Sequence, residues 1–350
     1  MNDSKTIDLY DLDLPEIEAL LTSWGEPSYR ARQIWVWLYR HLVTSFDEMT
    51  TLPKALRQRL ADEVSLYVPR VLERQESMTG ETRKDLLELK DGERVEVVLM
   101  RYLDRRSACL STQVGCAMGC EFCATGQMGF VRDLTSGEIV TQLLHLEREL
   151  AAQEQHLSNV VLMGMGEPFL NYDNTLDAIR RIIHSEGLCF GQRRLTVSTV
   201  GIVPGIRRFA KEDLQVNLAI SLHAATDELR NRLMPVNRRY PLDPLFSAVR
   251  EYITRTNRQV TFEWVLIHGI NDMPEQAEIL AARIKGMLAH VNLIPLNPTE
   301  DFEGQPATPD RIEAFTEVLE RHHFSYSVRL RRGIDIRAGC GQLRKRAAQS

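Results

Sequence analysis

The chain has no apolar run long enough to cross a membrane: the longest unbroken one, Ile34–Tyr39, falls far short of the roughly 18 residues a span needs. Its start, MNDSKTIDLYDLDLPE, is acidic and lacks the apolar stretch of a secretion signal or the basic character of a transit peptide, so residence in the cytoplasm is expected. Cysteine is scarce, at six in 350 residues. In a reducing compartment so few thiols point to ligands or catalysts rather than a disulfide framework. Internal repeats and low-complexity stretches are missing too, which excludes solenoids and fibrous or disordered chains. What is present is an ordinary globular balance, 43% hydrophobic and 26% charged. The length suits one large domain, alone or with a small companion.

Charge is unevenly placed. Residues 1–26 hold Asp3, Asp8, Asp11, Asp13, Glu16, Glu18 and Glu26 against Lys5 alone. Residues 321–346 hold Arg321, Arg329, Arg331, Arg332, Arg337, Arg344, Lys345 and Arg346 against Asp335 alone. Arginine pairs recur at Arg193–Arg194, Arg207–Arg208 and Arg238–Arg239. A polyanion could dock on such a surface, although charge runs are more often simply solvated faces.

Hydrophobic periodicity divides the chain. Short amphipathic helices are predicted at Leu14–Trp24, Ser28–His41 and Pro53–Val64, with Ser28 and Ser45 as caps. Three β-rich runs follow at Thr82–Leu89, Arg94–Tyr102 and Ser107–Val114. From about residue 107, strands alternate with helices. The predicted strands are 107–113, 159–163, 194–198, 216–222, 260–267 and 290–295, with a short seventh at Ser325–Leu330. Predicted helices include Ser136–Glu149, Asn174–Ile183, Leu242–Ile253 and Pro274–Leu288. Six βα units argue for a parallel sheet in an α/β fold, curved or closed into a partial barrel; periodicity alone leaves open-sheet and barrel forms comparable. The expected division is a helical accessory domain over 1–66, a β-rich connecting segment over 67–105, the barrel over 106–343 and a basic tail over 344–350.

The sharpest signal is Cys116-Ala-Met-Gly-Cys120-Glu-Phe-Cys123. Thiolates suit zinc or iron–sulfur clusters. Structural zinc takes four ligands, commonly from two separated pairs, and no second pair is here. Three thiolates on a 4Fe-4S cluster leave one iron open. Polar or glycine-rich groups also end the predicted strands, at Gly164–Pro168, Ser198, Ser221–His223 and Asn297, where the chemistry of such folds sits.

This spacing, with Phe122 before the last cysteine, resembles the cluster loop of radical S-adenosylmethionine (SAM) enzymes. The runs RSACLSTQVGCAMGCEFCATGQMGF, VVLMGMGEP, SLHAATDELRNRLMPVN, HVNLIPLNP and GIDIRAGCGQL resemble, in order, those of the RlmN/Cfr family of RNA methyltransferases. One departure is Arg337-Ala338-Gly339, where the family commonly has Asp-Ala-Ala. The resemblance implies a partial (β/α)6 radical SAM barrel, a 4Fe-4S cluster on Cys116, Cys120 and Cys123, and two SAM molecules per turnover. It implies SAM contacts through Gly166, Glu167, Ser198, Ser221, Leu222, His223 and Asn297. It implies three catalytic residues: Cys340 as methyl carrier, Glu96 as the base for the adenine proton, and Cys109 as the thiol that releases product through a transient disulfide. Family substrates are a peptidyl-transferase-centre adenosine of 23S rRNA, modified at carbon 2, and in some members an anticodon-loop adenosine of tRNA. A flavodoxin or ferredoxin as electron donor and a monomeric state complete the expectation.

Read without the family, several of these residues have plainer alternatives. Cys109 suits a core position, Glu96 an exposed strand position and His223 a satisfied core histidine. Cys189 matches no motif. Gly164 and Gly166 are expected to let the backbone approach a ligand. Two other functions remain open: methylation of carbon 8 of the same adenosine, and a non-catalytic iron–sulfur or zinc RNA-binding protein. The second would not need Glu96, Cys109 and Cys340.

Overall fold

A computed structural model describes residues 7–299, 301–329 and 335–336. The N-terminal part holds β1 (Ile7–Asp8), α1 (Leu14–Ser23), α2 (Tyr29–Tyr39), α3 (Lys54–Glu63) and β2 (Val64–Ser65). Asp13 and Glu16 form a capping box that starts α1. Ser45 and Glu48 form another, on a short 3-10 turn before α3. Ser28, predicted as a cap, makes no capping hydrogen bond. Ile17, Leu21, Ile34, Leu38, Leu56 and Leu60 are buried together.

One ten-stranded sheet forms the body, in the order β14-β13-β12-β11-β10-β9-β6-β5-β4-β3. Antiparallel strands come first: β3 (Arg70–Glu76), β4 (Thr82–Glu88), β5 (Arg94–Arg101) and β6 (Arg106–Cys109). The predicted strand 107–113 is broken. β6 ends at Cys109, and β7 (Gln113–Gly115) pairs with β8 (Phe130–Asp133) in a separate ribbon. Between them Ser111 is tied to Gln142 and to the Glu96 carbonyl, which turns the chain out of the sheet. Parallel strands then continue from β6: β9 (Asn159–Leu162), β10 (Leu195–Thr199), β11 (Asn217–Ser221), β12 (Val260–Leu266), β13 (Ala289–Pro295) and β14 (Ser325–Val328). The fold is therefore α/β, a curved partial barrel with a seventh parallel strand. Because β5 pairs with β6, the β-rich segment and the barrel share one sheet across residue 105.

The helices are α4 (Ala124–Gln127), α5 (Ser136–Ala151), α6 (Tyr172–Ile183), α7 (Val203–Phe209), α8 (Asp227–Leu233), α9 (Leu242–Thr256), α10 (Pro274–Ile284) and α11 (Pro309–Arg321). None of the described helices is long and apolar enough to cross a membrane. Strand alternation separates two faces. Apolar residues such as Val97, Leu110, Val160, Val197, Ile220, Phe262 and Val291 are buried. The opposite face carries Lys84, Glu96, Cys109, Ser198, Ser221, Glu263 and Asn292, matched across neighbouring strands by register. The wall meets itself where Arg329, just after β14, places Nη2 3.5 Å from Met100 Sδ of β5. Nearby in sequence, Asp335 accepts from the Met78 amide at 2.8 Å.

The helical part docks on the barrel through arginines. Arg181 donates to the carbonyls of Tyr10 and Asp11, and Arg148 donates to Tyr10 Oη and to Leu42 O. Gly137, at the start of α5, lies so close that a Cβ there would sit 2.6 Å from Asp11 Oδ1.

Candidate functional site

The cysteine loop leaves β7 and wraps around α4. Gly115 enters it at φ +77, and a Cβ there would sit 2.0 Å from the Gly129 carbonyl, so only glycine fits. The Cys116 amide donates to Gly129 O and the Glu121 amide to Leu233 O, which anchors the loop on α8. Cys116, Cys120 and Cys123 line one cavity of about 140 Å³. Burial pushes the Cys116 thiol up to about 12, with the neighbouring Cys123 and Glu167 acting in the same direction. Burial, with the other two thiols, pushes Cys120 well above the ordinary value. Such a group holds protons until a metal supplies positive charge. Among the described residues only Asp85, His145 and Glu149 bring three donor atoms within 4.8 Å of one another. The three sulfurs are thus spread more widely than the roughly 3.8 Å that one tetrahedral zinc imposes. Among the described residues the cavity lining offers no fourth cysteine. The set fits a cluster with one open iron better than a zinc ion.

Strand ends bring the predicted ligand residues to the same cavity: Gly166, Glu167, Ser198, Ser221, His223 and Asn297 line it. Leu222 does not, since its side chain is fully buried in the core. Gly164 and Gly166 of the β9 loop both line the cavity, and close packing also demands glycine at each. A Cβ on Gly164 would sit 2.6 Å from Leu110 O, and one on Gly166, at φ +101, 2.6 Å from Gln113 Cβ. They serve the close packing of this loop on the link between β6 and β7.

Glu167 accepts from the amides of Phe169 and Val200, at 3.0 and 2.8 Å. Burial nevertheless outweighs these bonds and lifts its carboxyl to about 7. A cation arriving in the cavity therefore meets a carboxyl that has no ionic partner among the described residues. His223 sits at φ +59, and its Nδ1 accepts from the Val265 amide at 3.0 Å. Burial, helped by the Arg230 charge, lowers its pKa to about 3. The ring is neutral, with its proton on Nε2. Ser198 Oγ and Ser221 Oγ stand 3.3 Å apart.

Glu96 and Cys109 lie on the inner face but outside that cavity lining. Cys109 is paired with Val98, and Glu96 is two residues along the same side of β5. Glu96 is buried, contrary to the exposed alternative, and Lys84 Nζ lies 3.3 Å from its Oε1. Cys340 falls outside the described residues, as do Arg331, Arg332, Arg337, Arg344, Lys345 and Arg346 of the basic stretch. Three described arginines of the expected RNA-docking set are already engaged: Arg207 pairs with Glu251, Arg208 with Asp173 and Arg321 with Glu278.

Two family models match the chain: the ribosomal RNA large subunit methyltransferase N-terminal domain at residues 7–66, and the radical SAM superfamily at 110–280. The dual-specificity RNA methyltransferase RlmN 1 of Myxococcus xanthus is 49% identical over 98% of this chain and 96% of its own length. The chain belongs to the RlmN family of radical SAM RNA methyltransferases. A probable dual-specificity RlmN of Symbiobacterium thermophilum is also 49% identical, over 96% of this chain and 91% of its own. The crystal structure of a radical SAM methyltransferase from Sphaerobacter thermophilus matches with a TM-score of 0.94 and 49% identity, over 97% of this chain and 99% of that one.

In this RlmN-family enzyme two cavity-side residues escaped the sequence reading. Glu263 lines the cavity and accepts from Asn292 Nδ2 at 2.6 Å. Its signal was an acid inside the apolar run Val260–Leu266. Arg230 is fully buried within a quoted family run, yet nothing in the run marks it out. The three-donor group at Asp85, His145 and Glu149 is not a metal site of the RlmN-family fold. Arg74 and Arg83 both pair with its two carboxylates.

Proposed function

We propose that this enzyme methylates carbon 2 of an adenosine in 23S rRNA, and of an adenosine in tRNA, through a methyl-cysteine intermediate. Carbon 2 of adenine is electron-poor and cannot attack a sulfonium methyl as an amine would, so a carbon radical must add to it. Cys116, Cys120 and Cys123 would hold the 4Fe-4S cluster, and Glu167, Ser198, Ser221, His223 and Asn297 would hold SAM. When bound, the cluster would supply the electron that splits SAM into methionine and a 5'-deoxyadenosyl radical, and would take one electron back from the adenine adduct once carbon 2 has lost its proton.

The chain's own residues do the rest. Cys340 takes the methyl of a first SAM as a thiolate nucleophile. A hydrogen is then lost from this S-methyl group to the radical from a second SAM, and the carbon adds to adenine. Glu96 accepts the proton from carbon 2, its carboxylate supported by Lys84. Cys109 attacks the Cys340 sulfur, forming a disulfide, and the adenine leaves as a carbanion that takes up a proton to become the methyl product. Glu167 meets the SAM ammonium group, and neutral His223 donates from Nε2. The partners in this reading are the two RNAs and a one-electron donor such as flavodoxin or ferredoxin, with the enzyme working as a cytoplasmic monomer.

The observation that carries the reading is the shared inner face of Glu96 and Cys109 beside the three-cysteine cavity. A binding module has no use for that arrangement. Cys109→Ala, purified from cells, should run on denaturing gels as a nuclease-sensitive shifted band, because the adduct on Cys340 forms and is not resolved. Cys340→Ala should show none. If neither variant traps RNA, the roles given to the two cysteines are wrong. Mass spectrometry of the modified adenosine should find methyl at carbon 2; methyl at carbon 8 overturns the site.

A further inference from the structure

Arg230 of α8 is fully buried, and its guanidinium meets only neutral acceptors. Nε donates to Leu222 O at 3.1 Å and Nη1 to Asn237 Oδ1 at 2.9 Å. Nη2 donates to Val200 O at 2.6 Å and to Ser221 O at 3.2 Å. Among the described residues no carboxylate forms an ion pair with it. Asp227 stands one step away, accepting from Asn237 Nδ2 at 2.8 Å. Burial lowers the pKa of Arg230 only to about 10, so the charge is kept. An unpaired buried cation is costly unless a negative group nearby offsets it.

The negative group is supplied by the cysteine loop. The Glu121 amide is bonded to Leu233 O of the same helix, and a Cβ on Gly119 would lie 4.0 Å from Pro235 Cγ. The next residue after α8, Met234, lines the three-cysteine cavity. Val200 and Ser221, whose carbonyls take Arg230 Nη2, line that same cavity with Cys120, which puts the guanidinium directly behind the wall of the three-cysteine site. With a metal cluster in place Cys120 is a thiolate, and reduction adds one more negative charge to the same spot. A fixed cation in a dry interior stabilises the more negative state most, because water cannot screen it.

We propose that Arg230 is the buried counter-cation of the three-cysteine site and raises the reduction potential of the cluster held there. The proposal rests on the reading that Cys116, Cys120 and Cys123 hold a 4Fe-4S cluster. Arg230 acts through charge held rigidly, since three of its bonds tie it to the ends of β10 and β11 and the fourth to Asn237. A group that merely staples those strand ends would matter for folding and not for potential.

The test is a redox titration of the reconstituted full-length protein, followed by electron paramagnetic resonance under anaerobic conditions. Arg230→Met should shift the midpoint to a more negative value. Arg230→Lys, which keeps the charge and loses the forked bonding, should stay near wild type. Asp227→Asn removes the competing carboxylate while Arg230 remains, and should shift the midpoint the opposite way, to a more positive value. If Arg230→Met does not hold a cluster, Arg230→Gln, which keeps hydrogen-bond donors and loses the charge, is titrated in its place and should show the same shift to a more negative midpoint. An unchanged midpoint in cluster-loaded Arg230→Met, or an unchanged or more negative one in Asp227→Asn, overturns the proposal. A wild-type chain that takes up no iron on reconstitution removes the cluster reading itself.

Discussion

Lys84 and Asp85 are neighbours on β4, and both are buried charges, but the strand turns them to opposite faces of the sheet. Outward, Asp85 joins Arg74, Arg83, His145 and Glu149. Burial works against its ionisation, and hydrogen bonds from His145 and Arg74 together with the Arg83 charge outweigh it, holding the carboxyl below the ordinary range. That knot binds the β-rich segment to α5. Inward, Lys84 meets Glu96 on a face that also carries Cys109. Buried charge by itself thus marks no active site. What decides is the surroundings: the outer group joins five side chains across three elements, whereas the inner pair shares its face with Cys109, the thiol proposed above to release the product.

The comparison breaks or sharpens under substitution, most strongly at the inner pair. Glu96→Gln should slow methyl transfer by about 10²–10⁴-fold, the usual worth of a positioned base, measured as methylated adenosine per turnover. A wild-type rate would make the inner pair structural like the outer one. Asp85→Asn should cost stability instead, about 3–5 kcal/mol for breaking a buried charged network. Denaturant melts read this, while turnover per folded molecule stays unchanged. Loss of turnover in folded Asp85→Asn would erase the distinction between the two faces. The contrast extends to the cavity-lining His223, whose folded pKa of about 3 lies below its ordinary 6.5. Between those values the unfolded chain binds a proton that the folded chain refuses, so stability is full above 6.5 and falls as pH drops. At pH 5 the loss is about 2 kcal/mol. The apoprotein should lose that much more between pH 7 and 5 than His223→Gln does, and parallel curves would refute a buried neutral ring. The smallest effect belongs to Glu149→Gln at the half-buried rim of the outer knot, about 1 kcal/mol in the same melts.

Features whose meaning lies in near neighbours were legible in the sequence. The cysteine spacing is a local signal, and the polar residues at Ser198, Ser221 and Asn297 stand at strand ends that periodicity locates. β3 was missed because Arg70–Glu76 is a polar edge strand, with little of the apolar alternation that marks a strand. The break after Cys109 escaped notice because residues 107–114 remain β-like in composition while their partners change. Gly164 and Gly166 line the cavity as their place after a strand suggests, but their crowding against Leu110 and Gln113, about fifty positions earlier, has no signal in the neighbouring residues. Lys84, Glu263 and Arg230 gain their significance from register and from contacts across the sheet, which no run of neighbours encodes.

The contact between Arg329 and Met100 also sets an order of events. The two residues are 229 positions apart, and a chain leaves the ribosome N-terminus first. Every strand from β3 to β13 has been synthesised before Arg329 exists. The pairing of β5 with β6 and of β6 with β9 closes short or moderate loops, whereas the Arg329–Met100 contact closes a far longer one. During synthesis the barrel is therefore a trough with one open side until β14 and Arg329 have emerged to join Met100.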